Sequence, residues 1–183
     1  MGSEASTLTP EKVKELEEET HFDEKELKQL LQRYMNYDSS PSGEDGIPIE
    51  EVLGSPELSG SPYARRLAWS YLKDGTHRLH PESYLRLLSI LSSRATFIEK
   101  SKALFQSLDI HKEGLVRFDE FFRLYKSILT PALSDAQIVD FVQSILQKGD
   151  LQEKEGMTYE EFTKMISPQE LHEKMTVDLR LST

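Results

Sequence analysis

The sequence contains no cysteine, which excludes disulfide bonds, thiolate catalysis and zinc sites built on thiolates. It also contains no run of eighteen apolar residues, so we expect no membrane-spanning helix. Basic residues are the minority, because 22 Lys and Arg stand against 32 Asp and Glu, and the formal net charge is −10. Since binding to phosphate backbones requires clustered Lys and Arg, we expect no nucleic-acid partner.

Sequence motifs that carry catalysis are also missing. There is no glycine-rich phosphate loop, no HExxH motif and no nucleophile elbow. Pairs of Asp and Glu are present, but helix caps and loop ends account for them. We therefore expect a protein that is not an enzyme. A charged and then apolar leader is absent as well, so the expected location is the cytoplasm.

A short pattern recurs four times, at a spacing close to that of one helix-loop-helix unit. An apolar residue is followed by two residues, an acid, one residue and another apolar or aromatic residue. The copies are Ile47–Val52, Leu79–Tyr84, Val116–Phe121 and Met157–Phe162. Four copies in register predict four helix-loop-helix units in two pairs. The loops of each pair should meet in a short pairing of Ile47 with Leu79 and of Val116 with Met157.

Helix-start signals complete the prediction of an all-α fold. Asp23–Glu26 and Ser134–Gln137 have the pattern of capping boxes. Ser61 followed by Pro62 has the pattern of an N-cap with proline at the first helical position. A further helix is expected at about residues 10–19, before the first unit, and a short one near the C-terminus.

The segment from Asp109 to Glu120 is close to the twelve-residue calcium loop of an EF-hand. Such a loop has oxygen ligands at positions 1, 3, 5 and 12, glycine at position 6 and a carbonyl ligand at position 7. Five residues match in type and position: Asp109, Glu113, Gly114, Leu115 and Glu120. His111 at position 3 and Arg117 at position 9 oppose a hard cation. We expect a loop that keeps its shape without an ion, or at most a weak Ca²⁺ site with a dissociation constant of roughly 10⁻⁴ to 10⁻³ M.

The other three loops depart further from the calcium pattern. In the first, Asp45 replaces the glycine at position 6, although Glu51 could close a distorted site. The second begins with Leu72. In the fourth, Lys154 stands where a ligand belongs and Gly156 comes one position late. Ca²⁺ is therefore expected at one site at most. The fold predicted from these units is an EF-hand fold in two paired lobes, residues 1–92 and 93–183, with an extra helix at each end.

Several connecting segments resemble the calcineurin B family, and especially the calcineurin B homologous proteins. The similar segments span nearly the whole chain: MGSEASTL and ETHF, SPELSGSPYARR, ALSDAQI and LHEKMTVDL. The resemblance implies a divergent member that is an all-helical adaptor, without catalysis, which seats an amphipathic helix of a larger protein in a hydrophobic groove. The partner it implies is the cytosolic tail of a sodium/proton exchanger, or, for calcineurin B, a phosphatase catalytic subunit.

The start MGSEAS matches the pattern for N-myristoylation of Gly2, with Ser6 at the required spacing. The alternative is a remnant of an expression vector. A single myristoyl chain gives only marginal membrane binding, roughly 10⁴ M⁻¹. If Gly2 is acylated, we expect peripheral contact with the cytosolic face of a membrane.

An apolar groove for the partner helix is predicted from both lobes. Adjacent aromatic residues such as Phe121 and Phe122 cannot both face one interior, so some apolar surface should remain for a partner. The alternative at each position is a place in the core. The predicted groove residues are Leu30, Leu31, Tyr34, Trp69, Phe121, Phe122, Tyr125, Leu129, Phe141, Val142, Ile145 and Leu146.

The hypothesis favoured by the sequence is a non-catalytic adaptor or regulatory subunit that binds an amphipathic helix, with calcium binding weak or lost. The expected partner is the cytosolic tail of a membrane transporter such as a sodium/proton exchanger. One alternative is a calcium sensor or a calcineurin B-like phosphatase subunit. Another is a subunit similar to a myosin light chain, because such proteins also carry eroded loops.

Overall fold

The computed structural model describes residues 8–38, 40, 45–72, 75–148 and 155–181. The chain forms two compact units. The N-terminal unit consists of Met1–Thr96 together with Met175–Thr183, and the C-terminal unit consists of Phe97–Lys174. Regular structure in the described residues is almost entirely helical, which confirms the prediction of an all-α EF-hand fold. None of the described helices is both long enough and apolar enough to cross a lipid bilayer.

The helices follow the predicted order of four helix-loop-helix units with one additional helix at each end. Loops 1 to 4 are the segments that connect α2 to α3, α4 to α5, α6 to α7 and α8 to α9. The helices are α1 (Pro10–Glu19), α2 (Glu24–Met35), α3 (Ile49–Leu53), α4 (Ala64–Ser70), α5 (Pro81–Leu91), α6 (Phe97–Leu108), α7 (Phe118–Leu129), α8 (Asp135–Lys148), α9 (Tyr159–Met165) and α10 (Pro168–Lys174).

Two-residue antiparallel ladders join the loops of each pair. The strands are β1 (Ile47–Pro48), β2 (Arg78–Leu79), β3 (Leu115–Val116) and β4 (Met157–Thr158). Ile47 is paired with Leu79, and Val116 with Met157, so both predicted pairings are confirmed. All four of these side chains are fully buried. The repeated apolar position therefore joins the loops and also contributes to the core.

The N-terminal unit is packed around the apolar faces of α2 and α5, which contact each other. Leu27 and Leu30 of α2 and Leu85 and Leu88 of α5 are buried there. Buried apolar side chains of this size each stabilise the fold by about 1.5–3 kcal/mol relative to exposure.

The C-terminal unit places α6 against α9 and α10, and α7 against α8. Phe105 of α6 lies with its ring 5.5 Å from Tyr159 and 5.6 Å from Phe162, between ring centroids. Lys100, in the first turn of α6, is only 1% exposed. This burial disfavours the charged form and lowers the pKa of the Lys100 ammonium to about 8.

The predicted helix caps are confirmed at two of three places. The Asp23 carboxylate accepts a hydrogen bond from the Glu26 N–H, and the Glu26 carboxylate accepts one from the Asp23 N–H. Ser134 and Gln137 make the same reciprocal pair. The prediction at Ser61 is wrong by two residues, because α4 begins only at Ala64. A turn, closed by a bond from the Ala64 N–H to the Ser61 carbonyl, comes before the helix.

Candidate functional site

Asp109 begins loop 3, and its carboxylate is buried against the loop backbone. One carboxylate oxygen accepts from the Glu113 N–H at 3.0 Å, and the other accepts from the Gly114 N–H at 2.8 Å. Gly114 has a φ of +76°, in a region that residues with a Cβ rarely adopt. The glycine at position 6 is therefore required by the turn, and Asp109 holds that turn closed.

Glu120, the last residue of loop 3, is also buried and also satisfied by the backbone. Its Oε2 accepts from the N–H of Arg117, the N-cap residue of α7, at 2.7 Å. Its Oε1 accepts from the Ile110 N–H at 3.0 Å. The side chain thus ties the start of the loop to the start of α7, in the manner of a capping box.

The remaining positions of loop 3 are arranged unfavourably for a cation. The Arg117 guanidinium donates a hydrogen bond to the Glu113 carboxylate, and His111 is exposed. Leu115, the predicted carbonyl ligand, lies in β3 opposite Thr158. Across the described ranges, no group of three or more His, Asp or Glu side chains lies close enough together to hold a metal ion. Ca²⁺ takes six to eight oxygen ligands, whereas one candidate ligand of loop 3, the Glu113 carboxylate, is bound by Arg117.

Loop 1 has a similar anchor in Asp38, which the sequence pattern did not indicate because the loop is too long when counted from that residue. Its Oδ2 accepts from the Gly46 N–H at 3.1 Å, as Asp109 does from Gly114, and its Oδ1 accepts from the Ser40 N–H at 2.9 Å. The Tyr34 hydroxyl lies within hydrogen-bond distance of both the Asp38 carboxylate, at 3.2 Å, and the Leu79 carbonyl, at 3.0 Å, and has one proton to donate between them. Burial raises the pKa of the Asp38 carboxyl, but these hydrogen bonds outweigh burial and leave the pKa below its ordinary value.

Other residues that the sequence singled out are placed as follows. Asp45 and Glu51 of the first helix-loop-helix unit are exposed. Gly156 is buried next to β4. Lys154 and the N-terminal Gly2 lie outside the described residues, so their predictions stay predictions.

Two helices of the C-terminal unit carry apolar side chains that are only partly buried. On α7 they recur at spacings of four, three and four residues, which places them in one stripe. On α8 they are four residues apart. The edge of the Tyr125 ring meets the Phe141 ring at 4.9 Å between centroids, so the two stripes join. We call this set the α7/α8 surface: Phe118, Phe122, Tyr125, Leu129, Phe141 and Ile145.

The twelve predicted groove residues fall into three sets. Phe122, Tyr125, Leu129, Phe141 and Ile145 lie on the α7/α8 surface. Leu30, Leu31 and Tyr34 lie in the core of the N-terminal unit, and Phe121 and Val142 lie in that of the C-terminal unit. Leu146 is half-buried in α8, and Trp69 is 39% exposed in α4. Phe118 was not among the predicted groove residues, although its spacing of four from Phe122 was a usable signal.

Comparison with known proteins gives relatives of nearly the full length. The chain is 30% identical over 179 residues to the B subunit of calcineurin from Naegleria gruberi, covering 98% of this chain and 100% of the relative. It is 31% identical to the B subunit of calcineurin from Candida glabrata, covering 97% and 98%. Identity to the type 1 B subunit of calcineurin from Dictyostelium discoideum is 28%, with the same coverage. No family model matches the chain.

These relatives confirm the resemblance that the connecting segments indicated, at an identity that makes this chain a divergent member. The helical fold with two joined pairs of loops agrees with it. The prediction of a protein without catalysis is likewise confirmed by the comparison with these relatives, which are B subunits of calcineurin. The chain is a non-catalytic EF-hand protein and belongs to the calcineurin B family.

Proposed function

We propose that this chain is a regulatory or adaptor subunit that binds an amphipathic helix of a larger protein on the α7/α8 surface. The observation that carries the proposal is the joined pair of stripes, with Phe141 40% exposed at its centre and in contact with Tyr125. An amphipathic helix binds such a surface through apolar residues spaced by three and four, which would bury the exposed rings.

A phosphatase catalytic subunit is the first candidate for the partner. It is supported by the relatives, which are B subunits of calcineurin. The cytosolic tail of a sodium/proton exchanger is the second candidate. It is supported by the connecting segments, of which SPELSGSPYARR is the longest, and by the acylation pattern at Gly2. Both partners would present an amphipathic helix, so one surface serves either of them.

Calcium binding by this chain is proposed to be weak or lost, with loop 3 as the one site that could retain it. The contact of Arg117 with Glu113 supports this, because an ion at that position would have to displace a cation from its carboxylate. The backbone hydrogen bonds to Asp109 and Glu120 support it as well. Helix binding would then be constitutive, in contrast to that of a calcium sensor.

Calorimetric titration with two synthetic peptides tests the proposed surface. One peptide is the helix of a calcineurin catalytic subunit that contacts its B subunit, and the other is the juxtamembrane helix of an exchanger tail. Phe141→Ala should weaken binding of the cognate peptide by roughly tenfold or more, as expected for an aromatic residue at the centre of an interface. Ile98→Ala is the matched control, because Ile98 is 68% exposed in α6 and lies outside the α7/α8 surface. Equal affinity of the two variants would contradict the proposal.

Membrane contact through a myristoyl group on Gly2 is proposed on the sequence pattern alone. Co-expression with an N-myristoyltransferase, followed by mass spectrometry of the intact protein, tests it. Addition of one acyl chain to the wild type, and none to Gly2→Ala, is the expected result. An unmodified wild type would contradict acylation without affecting the proposed helix binding.

A further inference from the structure

The last described residues, 175–181, follow α10, form neither a helix nor a paired strand, and belong to the N-terminal unit. We call this segment the tail. Its burial alternates, because Met175, Val177 and Leu179 are buried, whereas Asp178 and Arg180 are exposed. A period of two is the pattern of an extended strand lying against an apolar surface. The tail therefore contacts the N-terminal unit in the way that a bound peptide does.

The backbone of the tail forms hydrogen bonds with the rest of the N-terminal unit. The Val177 N–H donates to the Leu91 carbonyl at 2.9 Å. The Arg33 guanidinium donates to the Leu179 carbonyl at 2.5 Å and to the Arg180 carbonyl at 2.9 Å. Backbone bonds of this kind do not depend on the identity of the bound side chains. Affinity would come from them, and selectivity from the alternate apolar residues.

The tail leaves its site incompletely filled. A cleft of about 500 Å³ lies along it, with Phe22, Ser92, Ser93 and Arg94 as the lining residues outside the tail. Within the described part of the chain, the Thr176 hydroxyl is buried without a hydrogen-bond partner. Arg180 has a φ of +46°, a left-handed conformation that is strained for a residue with a side chain. A ligand that fills the cleft and relieves these features could replace the tail.

We propose that the N-terminal unit has a second peptide-binding site, for an extended segment with aliphatic residues at alternate positions. The tail occupies this site in cis, and an external segment of the same type displaces it. The site differs from the α7/α8 surface in its residues and in the conformation of its ligand. It does not depend on helix binding by the C-terminal unit.

Fluorescence anisotropy with a labelled peptide of the tail sequence, MTVDLRL, tests the proposal on the full chain. In the wild type the tethered tail competes with the peptide. The double variant Val177→Asp/Leu179→Asp should expel the tail and bind the peptide roughly tenfold more tightly than the wild type does. Asp178→Asn is the matched control, because that side chain is exposed, and it should behave as the wild type.

Two further measurements make the result decisive. A peptide that carries the two aspartates should not bind, because it lacks the aliphatic residues. Arg33→Ala in the otherwise wild-type chain should increase hydrogen exchange at the Val177 amide by roughly tenfold, whereas Arg65→Ala, which removes an exposed ion pair with Glu50, should not. Equal peptide affinity of the wild type and the double variant would overturn the proposal. If the double variant does not fold, unchanged exchange in Arg33→Ala would overturn it.

Discussion

The guanidinium of Arg117 donates a hydrogen bond to the carboxylate of Glu113 within loop 3. In a working calcium loop, these two positions help to surround the ion with oxygen. Here the charges of the Arg117 and Glu113 side chains neutralise each other. The loop thus keeps the length, the glycine turn and the strand pairing of an EF-hand, while an internal cation is bound to one of the carboxylates that should bind the ion.

Restoring oxygen ligands should restore calcium binding. His111→Asp with Arg117→Asn supplies position 3 and removes the internal cation, so the dissociation constant should fall to roughly 10⁻⁷–10⁻⁵ M, the range of sensor sites. Calorimetric titration measures it. The control His172→Asp with Arg123→Asn makes the same charge change outside the loop and should bind as weakly as the wild type. A wild type that already binds in the micromolar range would contradict the proposed loss of calcium affinity in loop 3.

Glu120 should stabilise the fold in the absence of calcium. Glu120→Ala removes the acceptor for two backbone N–H groups, so the free energy of unfolding should fall by about 1–2 kcal/mol. Urea denaturation in the presence of a chelator measures this. Glu113→Ala, at an exposed position, should change it by less than about 0.5 kcal/mol. If Glu120 served only as a calcium ligand, its removal under these conditions would leave stability unchanged or increase it.

Acid should weaken the N-terminal unit through Glu26, whose nearly buried carboxylate forms an ion pair at 2.5 Å with the half-exposed Arg94 guanidinium. The hydrogen bond from Arg94 lowers the pKa of Glu26 below its ordinary value of 4.5. Because the folded state favours the carboxylate, this stabilisation is present above pH 4.5 and is lost as the pH falls through the lowered pKa.

Glu26→Gln should therefore reduce the free energy of unfolding at pH 7 by about 1–2 kcal/mol, and the difference from the wild type should shrink at lower pH. Glu24→Gln is the control, because the ion pair of Glu24 with Lys28 is exposed and should contribute little. Denaturation curves over a series of pH values measure both variants. A Glu26→Gln deficit that does not change with pH would show that the charge is not responsible.

Lys100 should destabilise the fold at neutral pH. Its pKa of about 8 lies below the ordinary value of 10.5, so the folded state binds fewer protons than the unfolded state between these values. Stability should rise with pH across this window, and below pH 8 the full cost of the buried ammonium remains. Lys100→Met should increase the free energy of unfolding at pH 7 by about 2 kcal/mol and abolish that rise. Lys102→Met, on the exposed side of α6, should do neither.

Much of the fold could be predicted from the sequence, because its signals are local. The apolar residue before each repeated acid predicts the loop pairing, since Ile47 and Val116 must be buried wherever two loops meet. Side-chain caps such as that of Asp23 need only residues three positions apart. Ser61 had the same signal, but a turn follows it and α4 begins only at Ala64. No pattern within a few residues distinguishes a serine that caps a helix from one that begins a turn.

The α7/α8 surface could be predicted only in part. Periodicity identifies an apolar helix face but does not show whether the core or a partner covers it. Both Phe121 and Phe122 were therefore predicted to lie in the groove. In the structure Phe121 is buried and Phe122 is partly exposed. The tail was harder to anticipate, because its alternating apolar residues do not indicate where it binds. Its position is fixed by hydrogen bonds of its backbone with the Leu91 carbonyl and the Arg33 side chain.

Calcium-independent helix binding is tested most directly by one calorimetric comparison. The catalytic-subunit peptide and the exchanger-tail peptide are each titrated into the full chain, first with a chelator and then with excess calcium. We predict that one of them binds with affinities that agree within about twofold in the two conditions, and that Phe141→Ala weakens binding in both. Binding that requires calcium, or binding that is unchanged in Phe141→Ala, would contradict a constitutive helix-binding role for the α7/α8 surface.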